Sequence, residues 1–229
     1  MNTANILSFL SDLSKNNNRE WFALNKNRYD DTRSEFEQIS KALILAISGF
    51  DKEISHLDVK DCIFRIYRDT RFATDKTPYK THYGVYIAAG GGRKSVRGGY
   101  YLHLDPAGSF IAVGVWCPPP PVLKALRQSV YDNIDEFNEI ITDTRFKQYY
   151  PDFYQEDALK TAPKGFPKDF EHIDLLKVKH YMVEYKLSDD ILSRPDFVQH
   201  VASIMEVAHP MNIFLNYTVD EVSKTNPEK

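Results

Sequence analysis

Along the first fifty positions the apolar residues recur at helical spacing, and through the middle of the chain they recur at strand spacing. The opening MNTANILSFLSDL has its apolar positions broken by Ser8, Ser11 and Asp12, which predicts an amphipathic helix. Asn18 stands as an N-cap before Arg19-Glu20-Trp21-Phe22. Tyr29, Phe36, Ile39, Leu43, Ile47 and Phe50 then share one face of a longer helix and read as core. Residues 62–67, 84–89, 99–104 and 109–116 are rich in β-branched and aromatic residues and read as strands. Asp105-Pro106-Ala107-Gly108 has turn chemistry, so the last two should form an antiparallel pair.

Pro118 to Pro121 could be a polyproline ligand. A stiff connector with Pro121 in the first turn of a helix is favoured, since no second proline motif accompanies it. Helical segments are expected near 135–143 and 173–177, and a late strand at 181–185. A capping signal at Ser193 precedes Pro195-Asp196, and a C-terminal helical region runs past Met205. The order predicts an α+β fold with a mostly antiparallel central sheet of about four to five strands, flanked by N-terminal and C-terminal helices. One domain is expected over 1–229: helical at 1–55, sheet-rich at 60–117, helical with the late strand at 119–222, and a tail at 223–229.

Composition narrows the class. The 229 residues are 42% hydrophobic and 27% charged, enough apolar surface for a core without staples. Cys62 and Cys117 stand far apart with no CxxC spacing, which excludes a disulfide framework and a zinc ribbon and fits a reducing compartment. The N-terminus lacks a basic n-region, and no apolar run approaches a membrane span. A cytoplasmic location without membrane association is therefore expected.

Charge is uneven. Net charge is −3, yet Lys60 to His103 holds nine Lys or Arg against three acids, a local +6. The remainder carries −9. Such an island focuses a positive field if folding keeps it together. Its centre is Phe64-Arg65-Ile66-Tyr67-Arg68-Asp69-Thr70-Arg71-Phe72-Ala73-Thr74-Asp75-Lys76-Thr77-Pro78-Tyr79-Lys80-Thr81-His82. Guanidinium forks match carboxylate or phosphate oxygens in pairs, so Arg65, Arg68, Arg71, Lys76 and Lys80 could surround one anion. Tyr79 would orient it, and Asp69 belongs to the same set. His82, with a pKa ordinarily near neutrality, is the candidate general acid or base. In extended backbone Arg65 and Tyr67 share one face, and Lys80 and His82 share another.

The spacing Arg65-x-x-Arg68-Asp69-x-Arg71-Phe72-x-x-Asp75-Lys76-x-x-Tyr79 resembles the signature of the family catalogued as domain of unknown function 2461. So do Asn18-Arg19-Glu20-Trp21-Phe22, Pro78-Tyr79-Lys80-Thr81-His82 and Ala162-Pro163-Lys164-Gly165-Phe166. The resemblance spans nearly the whole chain. It implies a single family domain in a widespread, largely bacterial family, and it carries no activity and no catalytic residue.

Three functions stay open. The basic segment binds a small phosphorylated or carboxylated ligand, with or without catalysis. It serves as a nucleic-acid module through its cations and rings. Or its arginines are internal ties to Asp69 and Asp75. Gly90-Gly91-Gly92-Arg93-Lys94-Ser95 lacks phosphate-loop spacing and reads as a flexible hairpin loop. Lys160 and Lys164 fall in a turn-rich stretch that reads as a solvated loop. The seven histidines form no HxH, HExxH or Cys/His cluster. A metal site would need His82, His103 and Asp69 to converge, and none is assigned. No G-x-S-x-G elbow or His-paired cysteine is present, which disfavours covalent nucleophilic catalysis. The sequence names no cofactor.

Overall fold

The computed structural model describes residues 3–225. Eleven helices and one open antiparallel sheet of four strands make an α+β fold among these residues. The helices α1 (Thr3–Lys15), α2 (Arg19–Leu24), α3 (Lys26–Ile47) and the single turn α4 (Val59–Cys62) come first. The strands β1 (Tyr83–Ile87), β2 (Gly99–Leu104) and β3 (Ser109–Val115) follow. Next are α5 (Pro120–Asp132), α6 (Ile134–Thr142), α7 (Thr144–Tyr149) and α8 (Ile173–Lys177). The strand β4 (Tyr181–Leu187), α9 (Asp189–Leu192), α10 (Phe197–Val207) and α11 (His209–Thr225) complete the order. The strands lie in the order β1-β2-β3-β4.

The chain divides into two compact units. One takes the chain up to Lys94, Tyr101–Ile111 and Lys186–Ser203; the other takes Ser95–Tyr100, Ala112–Tyr185 and the chain from Ile204. In the first unit α1 buries Ile6, Phe9, Leu10 and Leu13, the helical face expected of it. Asn18 caps α2, its side chain accepting from the Trp21 amide at 2.9 Å. In α3, Phe36, Ile39, Leu43 and Ile47 are buried as the spacing predicts. Phe36 meets the β1 residue Tyr83 at 5.2 Å between ring centres, and the Tyr83 hydroxyl pairs with Thr32 at 3.0 Å. In the second unit Leu126, Val130, Phe137, Tyr150, Tyr181 and Leu215 are buried. Pro120 and Pro121 occupy the first turn of α5, where the missing amides cost nothing.

Three expectations about these elements are corrected. Residues 62–67 are not a strand: Cys62 ends α4, and the following stretch forms two isolated bridges, Ile63 with Val85 and Tyr67 with Tyr79, in place of a continuous ladder. Ser193 does not begin a helix. It closes α9 with its hydroxyl on the Asp190 carbonyl, and α10 starts at Phe197. The C-terminal helical region does run past Met205 as expected, as two helices with a break between Val207 and His209, ahead of Pro210, whose ring excludes continuation of α10. The expected tail overlaps α11, which reaches Thr225; residues 226–229 lie outside the described residues.

The glycine run after β1 is docked rather than free. Gly92 adopts a positive φ of 58°, and a Cβ there would stand 2.7 Å from the Asp61 carbonyl oxygen. Arg93 donates to the Lys60 carbonyl beside it. Among the described residues no helix is long and apolar enough to cross a membrane.

Candidate functional site

The basic segment splits into a self-capped loop and a bulged edge, both in the first unit. In the loop every cation meets an oxygen of the chain itself. Arg68 donates to the Asp75 carboxylate at 2.5 Å, to the Thr77 carbonyl at 3.2 Å and to the Thr77 hydroxyl. Asp75 accepts in turn from the Thr77 amide and hydroxyl, each at 2.9 Å. These donors hold its carboxyl down at about 2, the Thr77 amide having the largest effect and the Arg68 fork the next. Arg71 forks onto Asp69 at 2.7 and 3.0 Å, and lowers the Asp69 pKa. The Lys76 ammonium donates to the Thr70 carbonyl at 2.9 Å. At the tip Phe72 is 96% exposed, with the Arg71 guanidinium 6.0 Å from its ring centre.

The bulge lies where the chain returns. The Phe64 amide donates to the Gly84 carbonyl at 3.0 Å, and the Lys80 amide donates to the Ile66 carbonyl at 2.8 Å. One strand advances from 64 to 66 while its partner advances from 80 to 84. Thr81, His82 and Tyr83 therefore arch opposite Arg65. Anchors on both sides hold the arch. The Asn17 side chain donates to the Tyr79 carbonyl at 2.9 Å and accepts its amide at 3.1 Å. The Tyr79 ring stacks on Phe22 at 4.0 Å. Tyr83 is held by Thr32 and Phe36, as described.

The arch gathers the groups that the loop leaves out. Arg65 is exposed and, among the described residues, has no hydrogen bond and no ion pair. The Lys80 side chain is half-buried and, among the described residues, has neither an ion pair nor a hydrogen-bond acceptor; its ammonium sits 5.1 Å above the Phe64 ring. Burial, and then the charge of Arg65, push the Lys80 pKa down. The His82 ring is half-buried and has no hydrogen-bond partner among the described residues, and its centre lies 4.3 Å from that of His103. Burial, then His103 and Lys80, push the His82 pKa down to about 4, so the ring is neutral at pH 7.

The face is completed by the turn from β2 to β3. Tyr101 and His103 alternate with the buried Tyr100, Leu102 and Leu104 and so face the same way. The Tyr101 ring lies over Gly84, where a Cβ would meet its hydroxyl at 2.7 Å. That hydroxyl pairs with His103 Nδ1 at 2.9 Å. Phe110 stacks on His103 at 4.6 Å. Asp105 Oδ2 stands 3.7 Å from His103 Nε2, while Asp105 Oδ1 accepts from the Ala107 amide at 2.8 Å.

Of the residues singled out from the sequence, the fold gathers Arg65, Lys80 and His82. It places Arg68, Asp69, Arg71 and Lys76 in the capped loop. Tyr79 is buried on Phe22. The acid beside the two histidines is Asp105, because Asp69 is held by Arg71. Asp105 and Tyr101 went unnoticed in the sequence; the signal was the alternation of Tyr101, His103 and Asp105 on one strand face. Lys164 lies in the second unit, where Pro118, Arg127, Pro163 and Phe166 help it line a groove of ≈ 380 Å³. Burial raises the Cys62 thiol to about 11, which leaves it a poor nucleophile.

No curated protein and no solved structure matches the chain. A family model described as a conserved hypothetical protein, DUF2461, matches residues 5–214, and the chain belongs to that family.

Proposed function

We propose that the chain binds a small phosphorylated or carboxylated molecule at the arch, with Arg65 and Lys80 as the pair that holds the anion. The observation that carries this reading is the unequal treatment of neighbouring cations. Arg68, Arg71 and Lys76 are each paired with oxygens of the chain, while the side chains of Arg65 and Lys80 repel one another and, among the described residues, make no hydrogen bond and no ion pair. An anion seated between them would accept charge-assisted hydrogen bonds from both. The internal-tie reading suits the loop; the anion reading suits the arch. The aromatic wall of Phe64, Tyr101 and Phe110 favours a ligand with a flat or apolar body behind its charged group.

The test is a binding titration of the full chain against inorganic phosphate, nucleotides, sugar phosphates and organic acids, with melting temperature as a second readout. Saturable binding that Arg65→Ala and Lys80→Ala each weaken, and Arg71→Ala leaves intact, is the expected result. No stabilisation by any anion at millimolar concentration would overturn it. Binding only to polymeric DNA or RNA, lost steeply with salt, would replace it with the nucleic-acid reading.

A further inference from the structure

Beside the anion pair stands a second set of groups whose chemistry is different. His82, His103 and Asp105 each present one donor atom, and the three atoms lie within 4.8 Å of one another. On an ion with ligand distances of about 2.0–2.2 Å, two donors stand roughly 3.3–3.6 Å apart. The 3.7 Å between His103 Nε2 and Asp105 Oδ2 already approaches that spacing. In two of the three residues the atom turned away from the gap is held and the atom turned toward it is free. His103 Nδ1 is engaged by the Tyr101 hydroxyl, which can accept its N–H and leave the Nε2 lone pair exposed to the gap. Asp105 Oδ1 is taken by the Ala107 amide, which leaves Oδ2 toward His103. His82 has no hydrogen-bond partner among the described residues, so both its ring nitrogens are uncommitted. Gly84 provides the room for the Tyr101 ring, and Phe110 fixes the plane of His103.

We propose that His82, His103 and Asp105 form a binding site for a divalent first-row transition-metal ion, zinc or ferrous iron, with at least one coordination position open. Two imidazoles and one carboxylate suit these borderline cations better than calcium or magnesium, which prefer oxygen ligands. Three protein ligands leave a position for water or for an oxygen of a bound molecule. The ion itself does not depend on the anion pair. A coupling between the two does rest on that reading. An ion of charge +2 with one carboxylate leaves the site positive beside Lys80 and Arg65, so metal and anion should each strengthen the other by the same factor.

The experiment is a titration of the full chain with Co²⁺ at neutral pH, followed by visible absorption, with Zn²⁺ as competitor. One saturable ion per chain is expected, displaced by Zn²⁺. His82→Ala, His103→Ala and Asp105→Asn should each weaken it tenfold or more. Asp105→Asn keeps an oxygen for the Ala107 amide, so its metal-free melting temperature should match wild type and separate lost ligation from lost folding. His180→Ala, which removes a buried histidine that pairs with Asp157 and accepts the Cys117 amide in the other unit, should leave the Co²⁺ affinity unchanged. Absence of saturable Co²⁺ binding, or binding that survives all three substitutions, overturns the proposal. Phosphate titrations with chelator and with Zn²⁺ tell the two readings apart. Phosphate binding in chelator without any Co²⁺ binding sinks the metal site alone; Co²⁺ binding without phosphate binding sinks the anion pair alone.

Discussion

Two groups of cations from one short segment meet opposite fates. Between Arg68 and Thr77 the chain folds on itself, and each positive charge finds an oxygen within a few residues: Arg68 on Asp75 and Thr77, Arg71 on Asp69, Lys76 on Thr70. At the arch, Arg65 and Lys80 come together from two strands and, among the described residues, form no ion pair, although Asp105 stands close to His82 and His103. Local pairing explains the first. Asp69 and Asp75 lie in sequence where an Asx turn and a guanidinium fork can both close, so capping costs little chain entropy. The second is a product of register. It arises because Tyr79 and Tyr83 are each fixed to helices of the first unit while the strand opposite is two residues shorter between its pairs. Cations brought together by tertiary structure and left unpaired are the stronger pointer to a ligand, because self-pairing is the cheaper alternative and was not taken.

The largest effect that would sharpen this contrast is on affinity. Charge-assisted hydrogen bonds contribute about 1.5–3 kcal/mol each. Arg65→Ala should therefore weaken anion binding about 10-fold to 100-fold, and the double change with Lys80→Ala more. Calorimetry with the best anion of the panel reads this directly. Loss of binding on Arg71→Ala instead would move the site to the loop and break the comparison.

Next in size is Gly84→Ala. Its Cβ would displace the Tyr101 hydroxyl from 2.7 Å, and with it the partner of His103 Nδ1. Loss of such a supporting contact typically lowers metal affinity by about 10-fold to 100-fold. Co²⁺ affinity should fall in that range while the anion pair keeps its affinity in chelator. An unchanged Co²⁺ affinity would mean that Tyr101 does not orient the histidine.

A smaller effect belongs to the loop. Arg68→Ala removes the fork that joins Asp75 to Thr77, and the side chain it truncates is only 28% exposed. The melting temperature should fall by about 2–4 °C, the shift of roughly 1 kcal/mol in a chain of this size. Anion affinity should be unchanged. Thermal denaturation and the phosphate titration run on one variant separate a tie from a ligand contact.

How far these regions could be read from sequence follows the same division. The β2–β3 hairpin was legible, because Asp105-Pro106-Ala107-Gly108 carries its own turn chemistry and the flanking alternation fixes which residues face out. The helix spanning Ile173–Lys177 and the face of α1 were legible for the same local reason. Internal pairing of Arg68 with Asp75 was among the open readings, since both partners lie in the segment. The arch was not. Nothing in the alternation of residues 62–67 says that Phe64 pairs with Gly84 while Ile66 pairs with Lys80, for that register is decided by helices contacting Tyr79 and Tyr83. Asp105 escaped notice as a partner of His82 because 23 positions of chain separate them and only strand pairing closes the distance.

The smallest effect is a pH dependence, and its sign tests whether the loop is the self-contained element described. The folded Asp75 carboxyl is held down at about 2 by the Thr77 amide, the Arg68 fork and the Thr77 hydroxyl. An unfolded aspartate titrates near ~3.9. A group whose pKa is lower when folded contributes stability that is fully present above the unfolded value and is lost as pH falls through the folded one. Wild type should therefore lose this contribution between about pH 4 and pH 2. Asp75→Asn should differ most from wild type near neutrality and converge on it across that window, read as urea midpoints at a series of pH values. Arg68→Ala should behave in the same direction with a shallower change, because the Thr77 amide still holds the carboxylate. A difference between wild type and Asp75→Asn that stays constant from pH 6 to pH 2 would mean that the carboxylate's charge contributes nothing to the loop. The contrast between a capped loop and an unpaired arch would then lose its electrostatic basis.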